Sequence, residues 1–206
     1  MKAIIFDMDG VIIESALIKT DAFAELFGFC DDETLNKILK HHMENGGVSR
    51  YKKIQYYYET FLNKKLDKPE VDKIAWDYHN IVLDKVLDCP LVEGAKEFIK
   101  NNHKRIDLYI VSGTPGFELV EILNKKGLRK YFKGFFGTTA MITKASLLSD
   151  LAYKLYHRDE IVYIGDSLSD YKAAKEANVP FIGRVCDENP FPKDVKTINN
   201  FVGVVL

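Results

Sequence analysis

The pattern of apolar positions changes character twice along the chain. Residues 3–6 (AIIF) are an unbroken apolar run that meets two acids at once. A run without alternation predicts a parallel strand covered on both faces. From 16 to 87 the apolar residues fall at helical spacing instead. Leu35, Ile38 and Leu39 form one stripe, Tyr51, Ile54, Tyr58, Phe61 and Leu62 a second, and Val71, Ile74, Ala75, Tyr78 and Val82 a third. Asn45-Gly46-Gly47 and Asp67-Lys68-Pro69 separate the stripes, so this stretch predicts roughly four helices. From 88 onwards short apolar runs return: LYIV at 108–111, Phe135-Phe136, IVYI at 161–164, Phe181-Ile182 and 202–205. Helical stripes cover 94–102, 117–126, 144–156 (Leu148, Leu151, Ala152 and Leu155) and 168–177.

Strands alternating with helices predict the α/β class, a Rossmann-like three-layer core around a parallel sheet. On this reading residues 1–15 and 88–206 form the core. Residues 16–87 form an α-helical cap domain inserted after the first strand, with hinges near 13–16 and 87–90. A chain of 206 residues with 47% apolar content can build such a core. Its 29 basic and 30 acidic side chains give a net charge of −1, without the basic excess of a nucleic-acid binder. No apolar run approaches the roughly 20 residues that cross a bilayer, so no membrane partner is expected. Cys30, Cys89 and Cys186 lack metal-ligand spacing and read as reduced thiols of a cytoplasmic protein.

The chemistry sits where the strands end, which is where open α/β sheets bind ligands. AIIF is followed by Asp7 and Asp9, LYIV by Ser112, Gly113 and Thr114, and IVYI by Gly165, Asp166, Ser167 and Asp170. Lys144 opens a helix between the last two. Two acids one residue apart repel unless a cation or ligand offsets them. Carboxylate oxygens without His or Cys suit Mg²⁺. A hydroxyl and amides at a helix start, aided by a lysine, suit a phosphate. Together they describe phosphoryl transfer, in which one carboxylate attacks phosphorus and the other handles protons.

The segments FDMDGVI (6–12), VSGTP (111–115), Lys144 and IGDSLSD (164–170) resemble the four ordered motifs of the haloacid dehalogenase superfamily. More narrowly, the chain resembles the branch of phosphoglycolate phosphatase and β-phosphoglucomutase, which carries a helical cap between the first two motifs. The resemblance implies that Asp7 is the nucleophile and Asp9 the general acid/base. It implies that Asp7, the backbone carbonyl of Asp9 and Asp166 hold Mg²⁺, with Asp170 supporting the ion. Ser112, the Gly113 amide and Lys144 would hold the transferring phosphate. Lys133 lies in a similar loop-to-helix region and competes with Lys144 for that role.

In the insertion, Gly46-Gly47-Val48-Ser49-Arg50 is similar to a stretch with which the related mutases grip a second phosphate, so Arg50 is a candidate substrate contact. Those mutases also carry a histidine in the first cap helix, and residues 17–22 have none. The expectation is therefore a Mg²⁺-dependent phosphatase acting on a small phosphorylated metabolite through an aspartyl-phosphate. A phosphomutase with the same core is the alternative. A phospho-accepting signalling receiver or a binding module fits less well, because LYIV ends in Ser112 rather than in an acceptor Asp.

Overall fold

The computed structural model describes residues 1–206 except Leu155, Asp187 and Leu206. Among these residues six parallel strands form one sheet in the order β3-β2-β1-β4-β5-β6. They are β1 (Ala3–Phe6), β2 (Asp107–Ser112), β3 (Gly134–Gly137), β4 (Ile161–Gly165), β5 (Phe181–Arg184) and β6 (Thr197–Ile198). β1 lies at the centre, with Phe6 paired to Ile110 on one side and Ile164 on the other. All four β1 residues are buried, as the unbroken run predicts. One sheet face packs Ile4, Phe6, Leu108, Ile110 and Ile164 into the larger apolar cluster, and the other packs Ile5, Tyr109, Val111 and Tyr163 against Leu148 and Ala174. The strand order reverses beside β1, which places a crevice at the carboxyl ends of β1, β2 and β4.

Helices α1 (Ala16–Leu26), α2 (Asp32–Glu44), α3 (Arg50–Phe61) and α4 (Lys68–Asp88) fill the stretch between β1 and the helix α5 (Ala95–Asn102). The Asp67-Lys68-Pro69 break is a helix start: Asp67 and Glu70 form a reciprocal capping box, and Pro69 stands in the first turn, where its missing N–H costs nothing. The two chain crossings at the base of these helices run side by side. Glu14 N–H donates to the Pro90 carbonyl at 2.9 Å and Val92 N–H to that of Ile12 at 2.9 Å. The remaining helices are α6 (Gly116–Lys125), α7 (Lys144–Lys154) and α8 (Leu168–Ala177). Leu155, assigned to the α7 stripe from its spacing, lies outside the described residues.

One local expectation is corrected. Residues 202–205 are not a strand; the sixth strand is Thr197–Ile198. Gly203 takes φ +68° and the Asn200 side chain accepts from Val202 N–H, so Val202 and Val205 turn out into solvent instead of pairing, while Val204 packs against the core. Ser15 stands at the N-cap of α1 but makes no cap bond; its hydroxyl is used in the site below. Trp76 of α4 is 55% exposed and stacks on His79.

Candidate active site

The loop after β1 delivers Asp7 and Asp9 to different neighbourhoods. Asp7 is buried and accepts from Lys144 Nζ at 2.5 Å and from the Met8 N–H at 2.7 Å. Asp9 turns the other way: its Oδ1 accepts from Ser15 Oγ at 2.6 Å, and its Oδ2 from Lys19 Nζ at 2.5 Å and Thr114 Oγ1 at 2.7 Å. Lys19 Nζ also donates to Thr114 Oγ1 at 2.6 Å. The separation follows from chain geometry. Gly10 takes φ +67°, and a Cβ there would lie 2.0 Å from Asp166 Oδ2, so only glycine lets the turn pass this close to β4's end.

The end of β4 and the start of α8 supply the other acids. Ser167 and Asp170 form a capping box, so the helix start that fixes Asp170 also aims it inward. Asp170 accepts from Lys144 Nζ at 2.6 Å, Tyr163 Oη at 2.8 Å and Ser167 Oγ at 2.5 Å. Carboxylate oxygens of Asp7, Asp166 and Asp170 all lie within 4.8 Å of one another. Three hard oxygen donors at this spacing, with one lysine to offset them, fit a divalent cation of the Mg²⁺ kind. The Asp9 carboxylate is not in that group.

The electrostatics separate the acids further. Burial pushes the Asp7 carboxyl up to about 7 against the pull of Lys144, with Asp170 and Asp9 adding repulsion. Burial, then Asp170 and Asp7, hold Asp166 well above the usual carboxylate range. At Asp9 burial is outweighed by Lys19, Ser15 and Thr114, which bring it down to about 2. At Asp170 burial is likewise outweighed, by Lys144, Ser167 and Tyr163, and the carboxyl falls below its ordinary value. Asp9 and Asp170 are thus held ionised, while at Asp7 and Asp166 the single Lys144 does not offset burial and the neighbouring acids.

At the end of β2, Ser112 is fully buried, 3.4 Å from Asp9 Oδ2, and accepts from Thr114 N–H at 3.2 Å. Gly113 meets the loop between α2 and α3: a Cβ on it would lie 3.0 Å from the Gly47 carbonyl oxygen. Gly47 is itself pressed on the site, for its own Cβ would come within 2.8 Å of Lys144 Nζ and Ser169 Oγ. Between the two lysines open to the motif, Lys144 reaches the acids, whereas exposed Lys133 stands 3.6 Å from Asp107. Arg50 lines a small cavity beside Asp7 and Asp9, but its guanidinium is engaged. It donates two bonds to Glu118 of α6, at 2.7 and 2.6 Å, and lies 4.7 Å over the Tyr78 ring. His79 shares that carboxylate at 2.8 Å.

Spacing in the sequence gave no role to Lys19, Glu118, Lys53 or His42, and it placed Thr114 at the end of β2 without assigning it one. Lys19 had one usable signal, since it lies one helical turn beyond Ser15 and so on the same face of α1. Two hollows meet at the acids. One of about 410 Å³ opens to solvent past Leu17, Met43, Leu168 and Pro190, and one of about 30 Å³ runs inward beneath α3 and α4. A hollow of about 630 Å³ lies beside Arg158, Asn178 and Pro180, at the amino ends of β4 and β5, away from this chemistry.

The chain is 28% identical over 188 residues to a phosphorylated carbohydrates phosphatase from Thermotoga maritima, covering 87% of this chain and 82% of that one. It is 22% identical over 192 residues to a phosphoglycolate phosphatase from Colwellia psychrerythraea, covering 88% and 83%. Its fold is similar to that of a solved haloacid dehalogenase hydrolase, family IA, variant 3, from Entamoeba histolytica, with a TM-score of 0.78 at 18% identity over 100% of this chain and 96% of that one. The model of the haloacid dehalogenase-like hydrolases matches residues 1–178, which include all four motif segments, and the chain is an enzyme belonging to that family.

Proposed function

We propose that the chain is a Mg²⁺-dependent phosphatase that hydrolyses a small phosphorylated metabolite through an aspartyl-phosphate on Asp7. The observation that carries this reading is the division of labour between two acids one residue apart. Asp7 faces Asp166, Asp170 and Lys144, and Asp9 faces Ser15, Lys19 and Thr114. Asp7 supplies the carboxylate oxygen that attacks phosphorus, while Lys144, fixed between Asp7 and Asp170, draws the phosphoryl oxygens into line. Ser112 and the Gly113 amide hold the transferring group from the β2 side. Asp9, held ionised by Lys19, Ser15 and Thr114, takes up a solvent proton as the substrate displaces Lys19 from it, passes that proton to the leaving alcohol, and takes one from the water that then cleaves the acyl phosphate. Asp7, Asp166, Asp170 and the Asp9 carbonyl would hold Mg²⁺, which when bound neutralises the acids and the phosphoryl charge.

The four helices 16–88 act as the cap. Their Gly46–Gly47 loop lies over Lys144 and Gly113, where closure excludes water and strengthens the electrostatics beneath. Hydrolysis is favoured over transfer to a second hydroxyl, because the first cap helix brings Lys19, not a histidine, onto Asp9. Both named relatives are phosphatases. A cytoplasmic setting belongs to the same reading, with Cys30, Cys89 and Cys186 all free thiols. The test is turnover of p-nitrophenyl phosphate: hydrolysis with Mg²⁺, lost on chelation, and at least about a thousandfold slower in Asp7→Asn. Steady hydrolysis by Asp7→Asn would remove Asp7 from its role.

A further inference from the structure

The inner cavity of about 30 Å³ is reached by three cations of the helical insertion. Lys19 is engaged by Asp9 at 2.5 Å and Arg50 by Glu118 at 2.6 Å. Lys53 of α3 differs. It is 2% exposed, and among the described residues its Nζ has no carboxylate within bonding distance. Its polar partners are His42 Nδ1 at 3.1 Å and the His42 carbonyl at 3.4 Å. The imidazole brings no compensating charge, since burial, with Lys53 and Lys19 beside it, holds it down to about 2. Burial itself, then the nearness of Lys19 and Lys144, brings the Lys53 amine down to about 7. A buried ammonium without a counterion is costly, and a methionine of similar length would fill the same space without that cost.

A bound Mg²⁺ and a transferring phosphoryl group would occupy the opposite side, among Asp7, Asp166, Asp170 and Lys144. Neither answers the charge on Lys53. The cavity joining the two sides has room for about two water molecules, the size of a carboxylate rather than of a second phosphoryl group. We propose that Lys53 is a specificity-determining residue that receives a carboxylate on the alcohol portion of the substrate, so that the preferred ester is that of a small hydroxy acid. This rests on the phosphatase reading and assigns the leaving-group side of that same site. His42 positions the ammonium, and Arg50, locked on Glu118, forms the wall rather than the anchor.

The experiment compares kcat/KM for 2-phosphoglycolate, for its neutral amide and for a hexose bisphosphate. It uses the full chain as wild type, Lys53→Met, Lys53→Gln and Lys53→Arg. The acid-to-amide ratio is taken within each protein, so a partly misfolded preparation cancels from it. The expected result is an acid preference of at least about tenfold in wild type, equivalent to about 1.4 kcal/mol. That preference is carried mainly by KM, falls towards unity in Lys53→Met and Lys53→Gln, and is kept in Lys53→Arg. Equal use of acid and amide by wild type, or a preference that survives both neutral variants, overturns the proposal. A stronger preference for the bisphosphate that disappears with Lys53 overturns the carboxylate assignment in favour of a second phosphate. Failure to hydrolyse any ester, p-nitrophenyl phosphate included, instead defeats the phosphatase reading on which the proposal stands.

Discussion

Lys144 and Lys53 are the same residue at nearly the same burial, 5% and 2% exposed, on opposite sides of one site. Lys144 stands between Asp7 and Asp170, and those carboxylates outweigh its burial and raise its ammonium above the ordinary value. Lys53 faces a neutral histidine, and the more distant Asp9 and Asp170 do not outweigh its burial, so its amine falls to about 7. Burial alone therefore does not set the state of a lysine; the partners it is given do. The contrast divides the site by function. The core side has an excess of acids and is shaped for a cation, and the cap side has an excess of base and is shaped for an anion.

Breaking the core side has the largest expected effect. Lys144→Met leaves Asp7 and Asp170 buried without their cation, so the metal-free protein should lose about 3–5 kcal/mol of stability in urea titrations. Added Mg²⁺ should return part of this, because an ion that binds only the folded state stabilises it. Phosphatase activity should fall at least about a hundredfold. A variant as stable as the parent would mean that the three acids do not share one field.

Lys19 sits between the two sides, and its replacement sharpens the comparison. Lys19→Met should release the Asp9 carboxyl from about 2 towards its ordinary range and let the side chain wander. The expected outcome is kcat lower by about ten- to a hundredfold with KM little changed. A rise in KM alone would place Lys19 among the substrate-binding groups instead.

The smallest effect is on stability at the cap side. Lys53 moves from an ordinary 10.5 in the unfolded chain to about 7 in the fold. Between those values the unfolded chain binds more protons, so this residue's contribution makes stability rise with pH, with the full penalty present below about 7. Lys19 and Lys144 repel it there, and Asp9 and Asp170 partly offset them. Lys53→Met should therefore be the more stable protein near pH 6, by about 1 kcal/mol or more, with the gap closing towards pH 10. Guanidinium titrations at both pH values measure it, and a gap independent of pH would contradict the assignment.

The core side was legible because strands announce themselves. An apolar run that stops at a polar residue marks both a strand and the rim of a site, and Asp7, Asp9, Ser112, Asp166 and Asp170 all stand there. The cap side was not, because every helical position faces some direction and sequence does not say which one meets the core. Lys53 and Lys52 are neighbours, one buried and one exposed, and Glu118 looks like an ordinary first-turn acid of α6 until Arg50 arrives from α3. Arg50 shows the same limit: its place beside the acids was readable, but its partner was not. The failed strand at 202–205 has a different cause, a valine-rich segment overruled by the Gly203 turn.

The central claim is that Asp7 carries the phosphoryl group. Its most direct test is an acid quench during turnover of a radiolabelled phosphate ester with Mg²⁺, followed by peptide mapping. The account predicts covalent label on the N-terminal peptide at Asp7, chased off by unlabelled ester and missing in Asp7→Asn. Label on any other residue, or full turnover with no protein-bound label at any quench time, would contradict it.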